Sequence, residues 1–112
     1  MKTPSVPRLP AVVKQYFGAS NRRDVAAIAE CFTREASIGD QFGSHRGRAA
    51  IQQWIEETTR RYQPTFLPIK PVATETDFAI TVSVSGHFPG SPVLLDFHFR
   101  IRRRKIAAMA IE

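Results

Sequence analysis

The sequence predicts an α+β fold in which three N-terminal helices pack on a curved, mainly antiparallel sheet. Three observations predict it. Apolar residues recur at helical spacing in three stretches before Pro64. Beyond Pro64 they alternate with the period of two that sends successive side chains to opposite faces of a strand. A length of 112 residues suits one hydrophobic core, because a divided chain would leave each half near the lower limit of roughly 50 residues. The composition, 43% hydrophobic and 10% aromatic, is that of a globular chain rather than a disordered one.

Residues 1–8 read as an extended lead-in because of Pro4 and Pro7, and Pro10 is able to occupy the first turn of a helix. Val12, Val13, Tyr16, Phe17 and Ser20 then share one helical stripe, so the first helix runs to about Ala19 with Tyr16 on its buried side. Asn21-Arg22-Arg23-Asp24 is a turn in which Asp24 caps a short second helix, whose apolar face is Val25, Ile28, Ala29 and Phe32. Ala36 to Asp40 is too short and too broken by glycine for a helix. It suits a strand that delivers Asp40 at its end, followed by a loop carrying Gly43, His45 and Gly47. Ile51, Trp54, Ile55, Thr58 and Tyr62 mark the third and longest helix, which Pro64 stops by forcing its predecessor out of the helical region.

Pro68 and Pro71 limit the stretch from Thr65 to Thr76 to an edge or kinked strand. Phe78, Ile80, Val82 and Val84 alternate with Ala79, Thr81, Ser83 and Ser85, and the run from Gly86 to Pro92 supplies turn chemistry. In the next strand Val93, Leu95, Phe97, Phe99 and Ile101 share one face, while Leu94, Asp96, His98, Arg100 and Arg102 share the other. A last strand runs from Lys105 to Ile111. A twisted sheet bent over helices leaves a cavity where the helices diverge, and function is sought there.

Several function classes are argued against. No apolar run approaches the roughly 18 residues that span a bilayer, and no apolar segment of a signal peptide follows Met1, so a cytoplasmic protein is expected. A lone cysteine, Cys31, allows no internal disulfide and no multi-cysteine metal site, and it reads as a small buried filler. The three histidines show no ligand spacing. The net charge of +6 invites a nucleic-acid reading, but the densest run, Arg102-Arg103-Arg104-Lys105, falls at a strand-to-strand turn where charge is solvated. No aromatics interleave with the cations for base stacking, so nucleic acid is not expected as a partner.

The run from Ala11 to Ser44, AVVKQYFGASNRRDVAAIAECFTREASIGDQFGS, resembles the N-terminal third of bacterial ketosteroid isomerases, and the helix from Gly47 to Tyr62 continues the likeness. The stretch from Val82 to Val93 and the pattern Lys105-Ile106-Ala107-Ala108-Met109 look more like the polyketide-cyclase-like branch of the same nuclear-transport-factor-2-like superfamily. The resemblance implies a cone-shaped fold, a hydrophobic small molecule as ligand, no cofactor, and a homodimer. Tyr16 falls where the isomerases keep a tyrosine that donates to the developing enolate oxygen. Asp40 falls where they keep the carboxylate that moves a proton between carbons. Trp54, Phe97 and Phe99 would wall the pocket against water. This chemistry is sound in itself: a carboxylate in an apolar pocket is more basic than in water, and a phenol opposite it stabilises an oxyanion.

One position departs from the pattern. The isomerases carry a second, protonated acid on the strand equivalent to Val93–Ile101, and Phe97 occupies that place here. Asp96 is one residue away and on the opposite face, so it cannot substitute unless a bulge intervenes. Asp96, His98 and Arg100 are expected at a subunit contact or at the surface. Two readings follow: an acid/base isomerase or cyclase acting on a hydrophobic carbonyl compound, or a noncatalytic ligand-binding or dimerisation module of the same fold.

Overall fold

A computed structural model describes residues 8–40 and 43–112, position 40 by its backbone alone. Pro4 and Pro7 of the expected lead-in therefore lie outside the described residues. Helices α1 (Ala11–Arg22) and α2 (Val25–Glu30) are followed by strands β1 (Phe32–Asp40) and β2 (Gly43–Arg46), then helix α3 (Arg48–Tyr62). Strands β3 (Thr65–Pro71), β4 (Phe78–Ser85), β5 (Val93–Arg102) and β6 (Lys105–Ile111) complete the chain. Among the described residues, six strands form one open sheet in the order β2-β1-β6-β5-β4-β3, antiparallel except where β1 runs parallel to β6. The helices cover one of its faces, as the sequence predicts.

Helix α1 extends to Arg22, three residues past the expected end. The added residues start from buried Ser20 and turn Asn21 and Arg22 to solvent, and the stop is Arg23, in the left-handed region at φ 57°. The Arg23 guanidinium then donates to the Gln63 carbonyl at 2.8 Å, so one side chain ties the end of α1 to the end of α3. Asp24 caps α2 as expected, its carboxylate accepting the Ala27 N–H at 3.1 Å.

Phe32 does not belong to α2. It opens β1, because the Cys31 carbonyl accepts the Ile106 N–H at 2.7 Å and Phe32 pairs with Ile106, which draws the chain into the sheet one turn early. The expected loop at Gly43 to Gly47 is also corrected: Gly43–Arg46 forms an edge strand, with Ile38 paired to His45 and Asp40 to Gly43. A four-residue strand of small and polar residues has no apolar alternation by which to be seen.

Strand β3 lies at the other edge of the sheet, as Pro68 and Pro71 require. The Asn21 side chain reaches it from α1: its amide donates to the Phe66 carbonyl at 2.9 Å and its oxygen accepts the Phe66 N–H at 2.7 Å. At the junction of α3 with the β4–β5 turn, the His87 N–H donates to the Tyr62 carbonyl at 2.7 Å. The chains approach so closely there that a methyl group on Gly86 would lie 2.5 Å from that carbonyl oxygen. The basic segment turns where expected, with Arg103 and Arg104 both at positive φ between β5 and β6.

The core lies between the helices and the inner face of the sheet. Val12, Val13, Tyr16 and Phe17 of α1 meet Ile80 and Val82 of β4, Phe97 and Phe99 of β5, and Ile106 and Met109 of β6. Removing the Asn21 amide loses two hydrogen bonds at a solvated position, and each is worth about 1 kcal/mol net. Asn21→Ala is expected to lower stability by about 1–2 kcal/mol in urea unfolding with an unchanged m-value.

Candidate functional site

Helix α1 carries Tyr16 into an aromatic cluster. Its ring lies edge-on to Phe17 at 5.2 Å, to Phe32 at 5.8 Å and to Phe99 at 6.1 Å between centroids. Phe17 in turn touches Phe66, Phe97 and Phe99, and Phe97 and Phe99 stack on one another at 6.3 Å. Such contacts favour the offset and T-shaped geometries seen here, since the positive edge of one ring meets the negative face of another. Tyr16 is 2% exposed, Phe97 1% and Phe99 0%, so these three sequence-predicted residues meet in the interior.

The Tyr16 phenol is hydrogen-bonded to the Ser20 hydroxyl one turn along α1. Burial pushes its ionisation far above the ordinary value of 10.0, outweighing the opposing effect of Ser20, and the nearby Cys31 adds a small push in the same direction. At neutral pH it is therefore a neutral donor held in an apolar cage.

Position 40 ends β1, and its side chain lies outside the described residues. Strand alternation puts this position on the sheet face shared by Ala36 and Ile38, both fully buried. The register carries that face across the sheet: Ile38 pairs with Met109, Met109 with Phe99, and Ile111 with Phe97. The backbone thus brings position 40 to the helix-covered side of the sheet, at the end of β1.

Trp54 is half-buried on α3, with its ring centroid 5.9 Å from that of His45 on β2. Because His45 pairs with Ile38, it shares the inner face of the β1–β2 hairpin and sits diagonally across from position 40. The sequence places His45 in a loop, where the structure has an edge strand that brings it beside Trp54. The signal available was its separation from Gly43 by two residues, the period of a strand.

Asp96 lies on the outer face of β5, where its carboxylate accepts the Thr81 hydroxyl at 2.6 Å. The bulge between β5 and β6 falls at Arg100–Ile101, beyond Phe97, so nothing in the strand rotates Asp96 inward. Phe97 lies on the opposite, inner face, among the buried aromatics. His98 and Arg100 share the outer face with Asp96, and His87 is exposed in the β4–β5 turn.

A family model described as the SnoaL-like domain matches residues 13–109, and the chain belongs to that family, within the nuclear-transport-factor-2-like superfamily. The chain is similar to a candidate polyketide cyclase of Sinorhizobium meliloti, with 32% identity over 93% of this chain and 95% of that one and a TM-score of 0.87. Two further solved structures share the fold. A protein of Catenulispora acidiphila with a ketosteroid isomerase-like fold, solved in complex with trimethylamine, is 19% identical over 94% of this chain and 86% of that one, with a TM-score of 0.79. SalBIII, an epoxide hydrolase/cyclase-like enzyme in pyran ring formation of the polyether salinomycin, is 23% identical over 90% and 86%, with a TM-score of 0.72.

The buried phenol has a stability consequence. Its folded-state ionisation lies above the unfolded value, so its contribution is fully present below about pH 10 and is lost as pH rises further, when the unfolded chain releases a proton that the folded chain retains. Between about pH 9 and pH 11 the denaturation midpoint of the wild type is expected to fall more steeply than that of Tyr16→Phe.

Proposed function

We propose that this protein is a cofactor-independent acid/base isomerase or cyclase acting on a hydrophobic carbonyl compound of steroid or polyketide type. Asp40 takes a proton from the carbon beside the carbonyl, and the Tyr16 hydroxyl donates to the enolate oxygen that forms. In an isomerisation Asp40 returns the proton at a conjugated carbon. In a cyclisation the enolate carbon attacks a second carbonyl of the same chain, and the new alkoxide takes up the proton. Trp54, Phe97 and Phe99 line the apolar side of the site and exclude water.

The observation that carries this reading is the pairing of a neutral, buried phenol on α1 with a strand register that puts position 40 on the same, helix-covered side of the sheet. Membership of the SnoaL-like family and the likeness to a candidate polyketide cyclase support it. With Phe97 in place of a second acid, the oxyanion has one side-chain donor, and the loss of such a donor typically costs ~10²–10³ in rate. A slow enzyme is the expectation.

A second reading, a noncatalytic binding module for an apolar ligand, is favoured by one observation: the Tyr16 hydroxyl is already engaged by Ser20 inside a packed aromatic cluster. Turnover separates the two. With a β,γ-unsaturated ketone whose conjugated product is followed by ultraviolet absorbance, Asp40→Asn is expected to lower kcat by about 10²–10⁴, and Tyr16→Phe by about 10²–10³. Both variants should remain folded. Quenching of Trp54, the single tryptophan, by apolar ketones without any turnover would establish the binding module instead.

A further inference from the structure

Strands β5 and β6 are joined by a turn of two residues. Arg102 pairs with Lys105, and Arg103 and Arg104 between them both sit at positive φ, 50° and 65°. This is the geometry that matches the twist of a hairpin, and it favours Asn-Gly, because a side chain at positive φ crowds the following carbonyl. Arginine at both places is a poor choice for the turn, and the four successive cations from Arg102 to Lys105 repel one another besides. Residues held in such conformations cluster at functional sites.

The cations divide into two groups. Lys105 belongs to the fold: its ammonium donates to the Glu30 carbonyl and lies 3.8 Å from the Glu30 carboxylate, which Arg48 also approaches at 3.8 Å. Asp77 is engaged as well, accepting the Ile101 N–H at 2.7 Å. Arg102, Arg103 and Arg104 are exposed and, among the described residues, have no carboxylate partner. Arg103 and Arg104 stand beyond the last paired rung, at the end of the sheet rather than on the face where Asp96, His98 and Arg100 are expected at a subunit contact.

We infer that this arginine tip docks the protein on an anionic lipid bilayer. Lipid phosphates and carboxylates meet the three guanidiniums, whose forked donors match both groups. A cation near such a surface is worth about fivefold in partitioning, so three give about 10²-fold. The contact is peripheral, since the tip carries no apolar residue to insert. A bilayer is favoured over other polyanions for two reasons. A two-residue tip is convex and offers no groove along which a nucleic-acid strand could run, and no aromatic interleaves with these cations for base stacking. The apolar substrate proposed above also concentrates in hydrocarbon, so the choice rests in part on that reading of the function.

The test sediments the full chain with vesicles of phosphatidylcholine alone and of an equal mixture of phosphatidylcholine and phosphatidylserine, at low ionic strength, with duplex DNA and inorganic phosphate as competitors. Binding to the mixed vesicles and none to the neutral ones is expected, and it should weaken as salt is raised. The double variant Arg103→Asn with Arg104→Gly should weaken vesicle binding about 25-fold, fivefold for each cation removed. The same variant should raise the thermal midpoint, because Asn-Gly suits the turn. Since sedimentation needs no turnover, vesicle binding without catalysis would sink the proposed reaction and not the docking. Equal binding to neutral vesicles, binding indifferent to the double variant, a lower midpoint in that variant, or displacement from the mixed vesicles by duplex DNA or inorganic phosphate at equal phosphate concentration would each overturn the inference.

Discussion

Strand β5 is buried on one face and polar on the other, and because a strand has a side-chain period of two, its register assigns every residue from Val93 to Arg100 to one face or the other. Phe97 and Phe99 go to the helices; Asp96, His98 and Arg100 go outward. A slip of one residue would drive an aspartate, a histidine and an arginine into an aromatic core and expose two phenylalanines, costing several kcal/mol for each unpaired charge. The aromatic cluster against α1 and the outward placing of Asp96, His98 and Arg100 both descend from this single choice.

The inner side works as a dielectric boundary. With Phe17, Phe32 and Phe99 around it, the Tyr16 phenol has no access to the water that would stabilise its anion. It remains a donor across the physiological range. The same exclusion of water makes any charge that develops near it respond more strongly to that donor than it would in solution. Packing and electrostatics are here two aspects of one arrangement, since the rings that stabilise the fold also set the state of the hydroxyl.

The fold was largely legible from periodicity. The stripe of α1, the length of α3, the edge position of β3 and both faces of β5 follow from spacing and proline placement alone. What was not legible depended on tertiary partners. Phe32 fits a helical face as well as a strand start, and only its pairing with Ile106 decides. Gly43–Arg46 has no apolar rhythm and becomes a strand because β1 offers it a free edge. At the site, the burial of Tyr16 was readable from its stripe, but its engagement with Ser20 depends on rotamers, and the approach of His45 to Trp54 depends on the unrecognised hairpin.

The contact between Asn21 and Phe66 bears on how the molecule behaves when crowded. An outermost strand normally offers its unused amide and carbonyl groups to any passing chain, which is how sheets grow from one molecule into the next. Here the slot at residue 66 is filled by a side chain that imitates a neighbouring backbone. The next slot on that side belongs to Pro68, which has no amide hydrogen to offer. A stranger docking along this margin would find two successive rungs missing from the ladder, so fibre-like growth is discouraged at the border where Leu67 and Ile69 would otherwise make it adhesive.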